Sequence, residues 1–178
     1  MYRYLVFSIA LLLSSCGYQW GPPTSLPLVA VPFIAGDTEG TLTSELTQAL
    51  ASSGLAQVAL SDKAAYFIDA QIVGANNSVI GYRWDKEKLE GSEGRKTLAV
   101  EVSLREKEGG KAIFGPIQVE TSVDYDYAAE EGAKNLLPFS LGQLVAQDLA
   151  EETALRPLEE DLARKVVDAL FRSWYILD

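Results

Sequence analysis

Alternation of apolar and polar residues in the middle of the chain constrains the fold most. The stretch "TLAVEVSLRE", residues 97–106, places apolar side chains at every second position, namely Leu98, Val100, Val102 and Leu104. Successive side chains of a strand point to opposite faces, so this pattern predicts a strand with one buried face. Gly109 and Gly110 then predict a hairpin turn, and a second alternating run continues from about Ile113 to Tyr127. The centre of the chain is therefore expected to be an antiparallel sheet.

Helical patterns flank this β region. Leu42, Leu46, Ala49 and Leu50 recur at helical spacing, with Thr41 as the expected N-cap and Gly54 as the stop. Near the C-terminus a similar period surrounds Pro157, which predicts a break between two helices. Further strands are expected over residues 26–33 and 64–84, the second with a bend at 74–77, and a mixed-charge loop over 85–96. The predicted class is α+β: a two-layer sandwich with a mainly antiparallel four-stranded sheet, packed by an N-terminal helix and C-terminal helices.

Residues 1–15 have the parts of a secretory signal peptide. Arg3 gives a positive start, and residues 5–13, "LVFSIALLL", form an apolar run of nine residues, too short to span a bilayer. The run ends in "LSSC", which is similar to the lipobox of bacterial lipoproteins and implies cleavage before Cys16 and acylation of that residue. Several acyl chains on one residue would anchor the protein stably. An ordinary signal peptide with an incidental thiol is the alternative.

This reading divides the chain into a signal peptide at 1–15, an acylated tether at 16–25 and a single α+β domain at 26–178. No Asp follows Cys16. In the sorting pattern of enteric-type bacteria, that absence implies an outer-membrane lipoprotein held on the periplasmic side.

Composition excludes several functions. The formal net charge of -10 opposes nucleic-acid binding, which needs a basic face. The chain has no His and only one Cys, so the usual ligand sets for zinc, copper and haem are missing. We therefore expect no metal, no cofactor, no catalytic residue and no enzymatic activity. A membrane-tethered serine–lysine or paired-carboxylate hydrolase remains as the catalytic alternative.

A group of cations lies between residues 83 and 96 of this acidic chain: Arg83, Lys86, Lys88, Arg95 and Lys96. Five cations in fourteen positions could contact anionic phosphates. Four carboxylates are interleaved with them, so the local net charge is only about +1, which is also typical of a solvated loop.

Motifs spread along the chain resemble the lipopolysaccharide-assembly lipoprotein family, LptE. Members similarly begin with Cys-Gly and an aromatic residue, have a first strand ending in a Val-Pro-x-Phe type motif, and carry a tyrosine strand followed by a Glu-Glu helix. The corresponding positions here are Cys16, Gly17, Tyr18, Val29, Val31, Pro32, Phe33, Tyr125, Tyr127, Glu151, Glu152, Leu155, Asp161 and Leu162. The chain departs from the family at 121–123, where a basic residue is missing, and at 156–158.

The resemblance implies a non-enzymatic role in which the domain plugs and supports an LptD-type β-barrel and assists insertion of lipopolysaccharide into the outer leaflet. A polar domain suits a polar barrel lumen. Lipopolysaccharide is then a possible ligand, and our candidates for contacting it are Arg83, Lys86, Arg95 and Lys96. The alternative is a periplasm-facing lipoprotein that binds peptidoglycan, lipid or a secretion partner.

Overall fold

The computed structural model describes residues 26–85, 88–126 and 141–177, which form one five-stranded sheet packed against two helices. The strands are β1 Leu28–Ala30, β2 Gln57–Val58, β3 Tyr66–Asp85, β4 Lys88–Arg105 and β5 Ala112–Asp126. The helices are α1 Thr41–Ser53 and α2 Leu141–Leu177. The α+β class and the mainly antiparallel sheet are confirmed. The predicted number of four strands is wrong, because β2 has only two residues and leaves no alternation in the sequence.

The N-terminal part is a β–α–β unit. In the strand order β2-β1-β3-β4-β5, β1 lies between β2 and β3 and pairs parallel with both. Val29 in β1 is fully buried, and Pro27 and Pro32 stand just outside the strand, where proline interrupts no ladder hydrogen bond. The predicted strand at 26–33 therefore exists but is shorter.

Helix α1 begins differently from its predicted start. Gly40, not Thr41, occupies the N-cap position, with a φ of 76° that suits glycine. The carboxylate of Asp37 accepts hydrogen bonds from the backbone N–H of Gly40 at 3.0 Å and of Thr43 at 2.7 Å. These bonds satisfy helix donors that would otherwise lack a partner. The helix ends at Gly54 as predicted, with a φ of 69°.

Strands β3 and β4 form a long hairpin, paired from Phe67 and Arg105 to Asp85 and Lys88. Its ladder shifts register between Ile72 and Gly74 and twice between Val79 and Tyr82. The predicted charged loop at 85–96 is wrong, since β3 extends to Asp85 and β4 begins at Lys88 and continues past 96. Charged side chains can point into solvent while the backbone groups pair across the hairpin, so charge does not oppose strand formation here.

Strand β5 is one 15-residue strand, as the long alternating run predicts. Helix α2 is continuous over 37 residues and contains Pro157, so the predicted break is wrong. A proline removes one backbone donor. Apolar residues on both sides of Pro157, including Ala154, Leu158 and Leu162, are buried, and their packing holds the helix together across it.

The two faces of the sheet differ. The helix-covered face forms the core with α1 and α2, in which Leu46, Leu104 and Leu162 are at most 1 % exposed. The opposite face, which we call the outer face, is polar and solvent-exposed on β5 at Gln118, Glu120, Ser122, Asp124 and Asp126. This arrangement positions the candidate site, since neighbouring residues of β4 face opposite layers.

Candidate functional site

The candidate cations lie on the β3–β4 hairpin. Arg83 is in β3, and Arg95 and Lys96 are in β4. Lys86 and the lipidation candidate Cys16 lie outside the described residues. The structure thus places three of the four candidate cations on one hairpin but, as follows, gives each of them different surroundings.

Arg95 lies on the outer face and is paired with β5. Its Nε and Nη2 donate to the two carboxylate oxygens of Asp124 at 2.6 and 2.8 Å. The two residues are directly opposite each other in the β4–β5 ladder. The hydrogen bond from Arg95 lowers the pKa of Asp124. Both side chains are about half exposed, and a fork of two parallel bonds keeps the guanidinium directed at its carboxylate.

Lys96 faces the helix layer and belongs to a small polar cluster that we call the α2 latch: Asn77, Lys96 and Glu151. Lys96 Nζ and Asn77 Nδ2 donate to Oε1 of Glu151 at 2.8 and 2.5 Å. The Lys96 hydrogen bond, followed by that of Asn77, lowers the pKa of Glu151. Lys96 and Glu151 are only 17 % and 25 % exposed, so the latch fixes the hairpin to α2 in a partly desolvated place.

A second polar cluster joins β5 to α2. The hydroxyl of the buried Thr121 donates to Oδ2 of Asp161 at 2.5 Å and accepts from Nζ of Lys165 at 2.7 Å. Lys165 also contacts Asp161 at 2.8 Å, and its hydrogen bond is the main cause of the lowered pKa of Asp161. The start of the tyrosine strand, which carries no cation of its own at 121–123, is thus contacted by a cation from α2.

The candidate cations do not converge on a common point. Arg95 and Lys96 each contact a carboxylate, and the two side chains lie on opposite sides of the sheet. Arg83 is exposed and lies directly opposite Glu90 in the β3–β4 ladder. Of the three described candidates, Arg95 and Lys96 are thus held by carboxylates within the fold.

The outer face is acidic. Its cations, Arg95 and Arg105, are each paired with a carboxylate, Arg105 with Asp69 at 2.6 Å. Other carboxylates of this face have no ion pair within the described part of the chain: Glu93, Glu101, Glu120 and Asp126. Glu93 and Asp126 are direct cross-strand partners, and such a like-charge pair is unfavourable in isolation. The outer face therefore repels phosphate and favours a polar environment that supplies cations.

Sequence reasoning missed an exposed apolar group at the end of the hairpin, which we call the aromatic tip: Val79, Ile80, Tyr82 and Trp84. Their exposed fractions are 43 %, 40 %, 60 % and 74 %. The signal was present in "SVIGYRW", but an apolar stretch of a strand ordinarily predicts burial in a core. Only the tertiary structure shows that these side chains remain outside it.

A buried carboxyl group lies where α2 meets the start of α1. Glu159 is 6 % exposed, and its Oε1 accepts a hydrogen bond from the hydroxyl of Thr41 at 3.0 Å. Burial raises the pKa of Glu159, and the nearby carboxylates of Asp37, Glu39 and Glu45 raise it further, while the Thr41 bond acts in the opposite direction. Sequence patterns could not reveal this buried group, since Glu159 belongs to a run of charged residues, 159–161, that is typical of a solvated helix face.

Two further observations concern metals and membranes. Within the described ranges, no three His, Cys, Asp or Glu side chains are placed to hold a metal ion together. In the same part of the chain, no helix combines the length and apolar character needed to cross a bilayer.

Solved structures share this fold. Rare lipoprotein B from Shewanella oneidensis is 13 % identical with a TM-score of 0.55, covering 84 % of this chain and 98 % of that one. A minor lipoprotein from Acinetobacter baumannii is 16 % identical with a TM-score of 0.53, covering 85 % and 95 %. A lipoprotein from Caulobacter crescentus is 17 % identical with a TM-score of 0.53, covering 84 % and 92 %. At these identities the likeness shows the fold alone. No curated protein matches the chain.

A family model settles the relationship. The model for LptE, described as lipopolysaccharide-assembly, matches residues 26–170. This range includes α1, all five strands, α2 as far as residue 170 and both polar clusters described above. The resemblance inferred from motifs is confirmed over most of the chain, and the protein belongs to the LptE family of lipopolysaccharide-assembly lipoproteins.

Proposed function

We propose that this protein is a non-enzymatic, lipid-anchored subunit that plugs an LptD-type β-barrel of the outer membrane and assists insertion of lipopolysaccharide into the outer leaflet. Family membership gives the general role, an outer-membrane-associated lipoprotein of lipopolysaccharide assembly. The barrel partner, the plug and the direct handling of lipopolysaccharide are the proposed parts.

The observation that carries the plug is the polar, charged surface of a domain whose core is closed. The apolar face of the sheet is covered by α1 and α2, and the outer face presents carboxylates, amides and hydroxyls. A plug of this kind needs a surface that remains favourable in water-filled, polar surroundings, which is what the lumen of a large barrel offers. The outer-face carboxylates that have no ion pair within the described part of the chain would meet cations of the barrel wall.

Anchoring is proposed through Cys16, after removal of residues 1–15, with residues 16–25 as the tether to the domain that begins at 26. Ten residues of extended chain span at most about 35 Å. The domain would therefore stay within reach of the periplasmic leaflet in which its acyl chains insert, and close to the mouth of a barrel in the same membrane.

Arg83 and Lys86 are proposed as contacts for the phosphates of lipopolysaccharide. Arg95 and Lys96 are weaker proposals, since binding a phosphate there would require displacement of Asp124 or Glu151. Arg83→Ala should therefore reduce lipopolysaccharide binding more than Arg95→Ala, as measured with purified lipopolysaccharide and the full chain.

Affinity purification from detergent-solubilised outer membranes tests the central part of the proposal. We expect one large β-barrel protein to co-purify in about equal amounts, and depletion of the lipoprotein to lower surface lipopolysaccharide. Purification without a barrel would overturn the proposal. A barrel partner combined with unchanged surface lipopolysaccharide would favour a lipoprotein that serves another envelope component.

A further inference from the structure

The aromatic tip is unusual among the exposed apolar residues of the chain. Of the nine large hydrophobic residues that are exposed among the described ones, four lie between positions 79 and 84. Exposed apolar residues scattered singly are normal, but Tyr82 and Trp84 lie two positions apart on one face of a strand, and neighbouring exposed aromatics mark a surface that contacts something else. The fold itself leaves this group uncovered, since Tyr82 and Trp84 are 60 % and 74 % exposed.

The residue types at the tip are those that dominate protein–protein binding energy. Tyr82, Arg83 and Trp84 follow one another in β3, and Tyr, Arg and Trp are the residues most enriched among binding hot spots. Alternation along the strand directs Tyr82 and Trp84 to one face and Arg83 to the other. Arg83 is itself exposed.

The charges around the tip favour a protein over a lipid surface. From 83 to 90 there are three cations, Arg83, Lys86 and Lys88, and three carboxylates, Asp85, Glu87 and Glu90. Such a neutral mixture is not drawn to an anionic membrane, and burial of its carboxylates among lipids is costly. At a protein interface the same mixture forms an ordinary polar rim around aromatic anchors.

The size and rigidity of the tip fit one anchor of a larger interface. Two large aromatic side chains bury about 300–500 Å², a substantial part of the roughly 800 Å² that each partner contributes to a standard interface. The backbone is held by pairing, with Tyr82 opposite Gly91 and Trp84 opposite Leu89. A backbone ordered in advance loses little conformational freedom on binding, which favours affinity.

We propose that the aromatic tip is a docking anchor, which inserts Tyr82 and Trp84 into an apolar recess on the otherwise polar inner wall of the barrel partner. This inference rests on the proposed function and deepens it, since it identifies the residues that hold the plug in place.

Alanine substitutions in the full-length lipoprotein test the anchor. Trp84→Ala and Tyr82→Ala should each weaken binding to the detergent-purified barrel at least about tenfold, as expected for hot-spot residues. Leu60→Ala and Phe33→Ala are matched controls, because those side chains are equally exposed, at 73 % and 65 %, but lie elsewhere. The controls should bind within about twofold of wild type, and Trp84→Phe should retain most of the affinity. Equal thermal unfolding of all variants would exclude misfolding.

The outcomes separate this inference from the proposed function. If wild type binds the barrel and the tip variants bind equally well, the proposed docking anchor is wrong, while the proposed plug function is unaffected. If wild type binds no barrel, both are wrong. Flotation of a Cys16→Ser chain with phosphatidylethanolamine–phosphatidylglycerol vesicles that is lost in Trp84→Ala would overturn the anchor in favour of a lipid surface. Self-association that is lost in Trp84→Ala would overturn it in favour of a second copy.

Discussion

Arg95 and Lys96 illustrate how much one position along a strand changes the environment of a side chain. Neighbouring residues of a strand face opposite sides of the sheet, so Arg95 contacts Asp124 on the outer face while Lys96 contacts Glu151 of α2. Two cations that are adjacent in the sequence therefore form ion pairs on opposite sides of the sheet, one with β5 and one with α2. Their partners lie 29 and 55 positions away in the chain, beyond the reach of any local pattern.

Glu159 makes stability depend on pH in a direction opposite to that of most carboxylates. Its pKa in the folded chain is raised by burial above the ordinary value of 4.5, so folding disfavours its ionised form. The loss of folding stability caused by burying the ionised carboxylate is absent well below pH 4.5, where Glu159 is protonated in both states. It is complete at pH values above the pKa of Glu159 in the folded chain. Glu159→Gln should thus raise the melting temperature at pH 7, with a difference that shrinks as pH falls towards 4 and below. A variant that is less stable than wild type at pH 7 would contradict this.

Gly94 is required by a close contact on the hairpin. A Cβ atom there would lie 2.5 Å from Cζ of Tyr125, whereas a Cβ at Gly74 would meet only Ala99 Cβ at an ordinary 3.6 Å. Gly94→Ala should lower the free energy of unfolding by about 1–3 kcal/mol, since overpacking displaces the ring. Gly74→Ala is the matched control and should change it by less than about 1 kcal/mol. If denaturant titration shows the same change in the free energy of unfolding for both variants, the Tyr125 ring can move aside without cost and the prediction is contradicted.

At the scale of elements, the long hairpin is held to the helix layer by few polar contacts. The α2 latch joins both of its strands to α2 through Asn77, Lys96 and Glu151, and Thr121 joins β5 to the same helix. The latch therefore helps to hold the hairpin, which carries the aromatic tip at its end, against α2.

A double-mutant cycle measures the latch. Alanine substitutions of Lys96 and Glu151 should show a coupling energy of about 1 kcal/mol at pH 7, because both side chains are largely withdrawn from water. The exposed pair Arg164–Glu160, at 3.5 Å, is the control and should give about 0.5 kcal/mol or less. Since the pKa of Glu151 is lowered, the Lys96 coupling should disappear as pH falls below 4.5 through that pKa. Coupling that is equal in both pairs, or that persists at pH 2, would contradict a partly desolvated latch.

For the whole molecule, the sequence carried the information that is local and little of what depends on packing. Period-two alternation predicted β4 and β5, and the 3.6-residue period with Gly54 predicted α1, because these signals lie within single elements. The charged stretch at 85–96 and Pro157 were misjudged, because strand pairing and core packing override local propensity there. The aromatic tip could not be told from core residues without knowing where the core ends.

The central claim is that the domain lies inside a barrel, surrounded by its wall, and site-specific photo-crosslinking tests this most directly. Gln118 is exposed on the outer face of the sheet, and Arg164 is 62 % exposed on the opposite, helical layer. With p-benzoylphenylalanine at either position in the full-length chain, irradiation of intact cells should cross-link both variants to the same β-barrel protein. Cross-links from only one of the two layers would indicate a contact at the barrel's periphery, and cross-links from neither would contradict the plug.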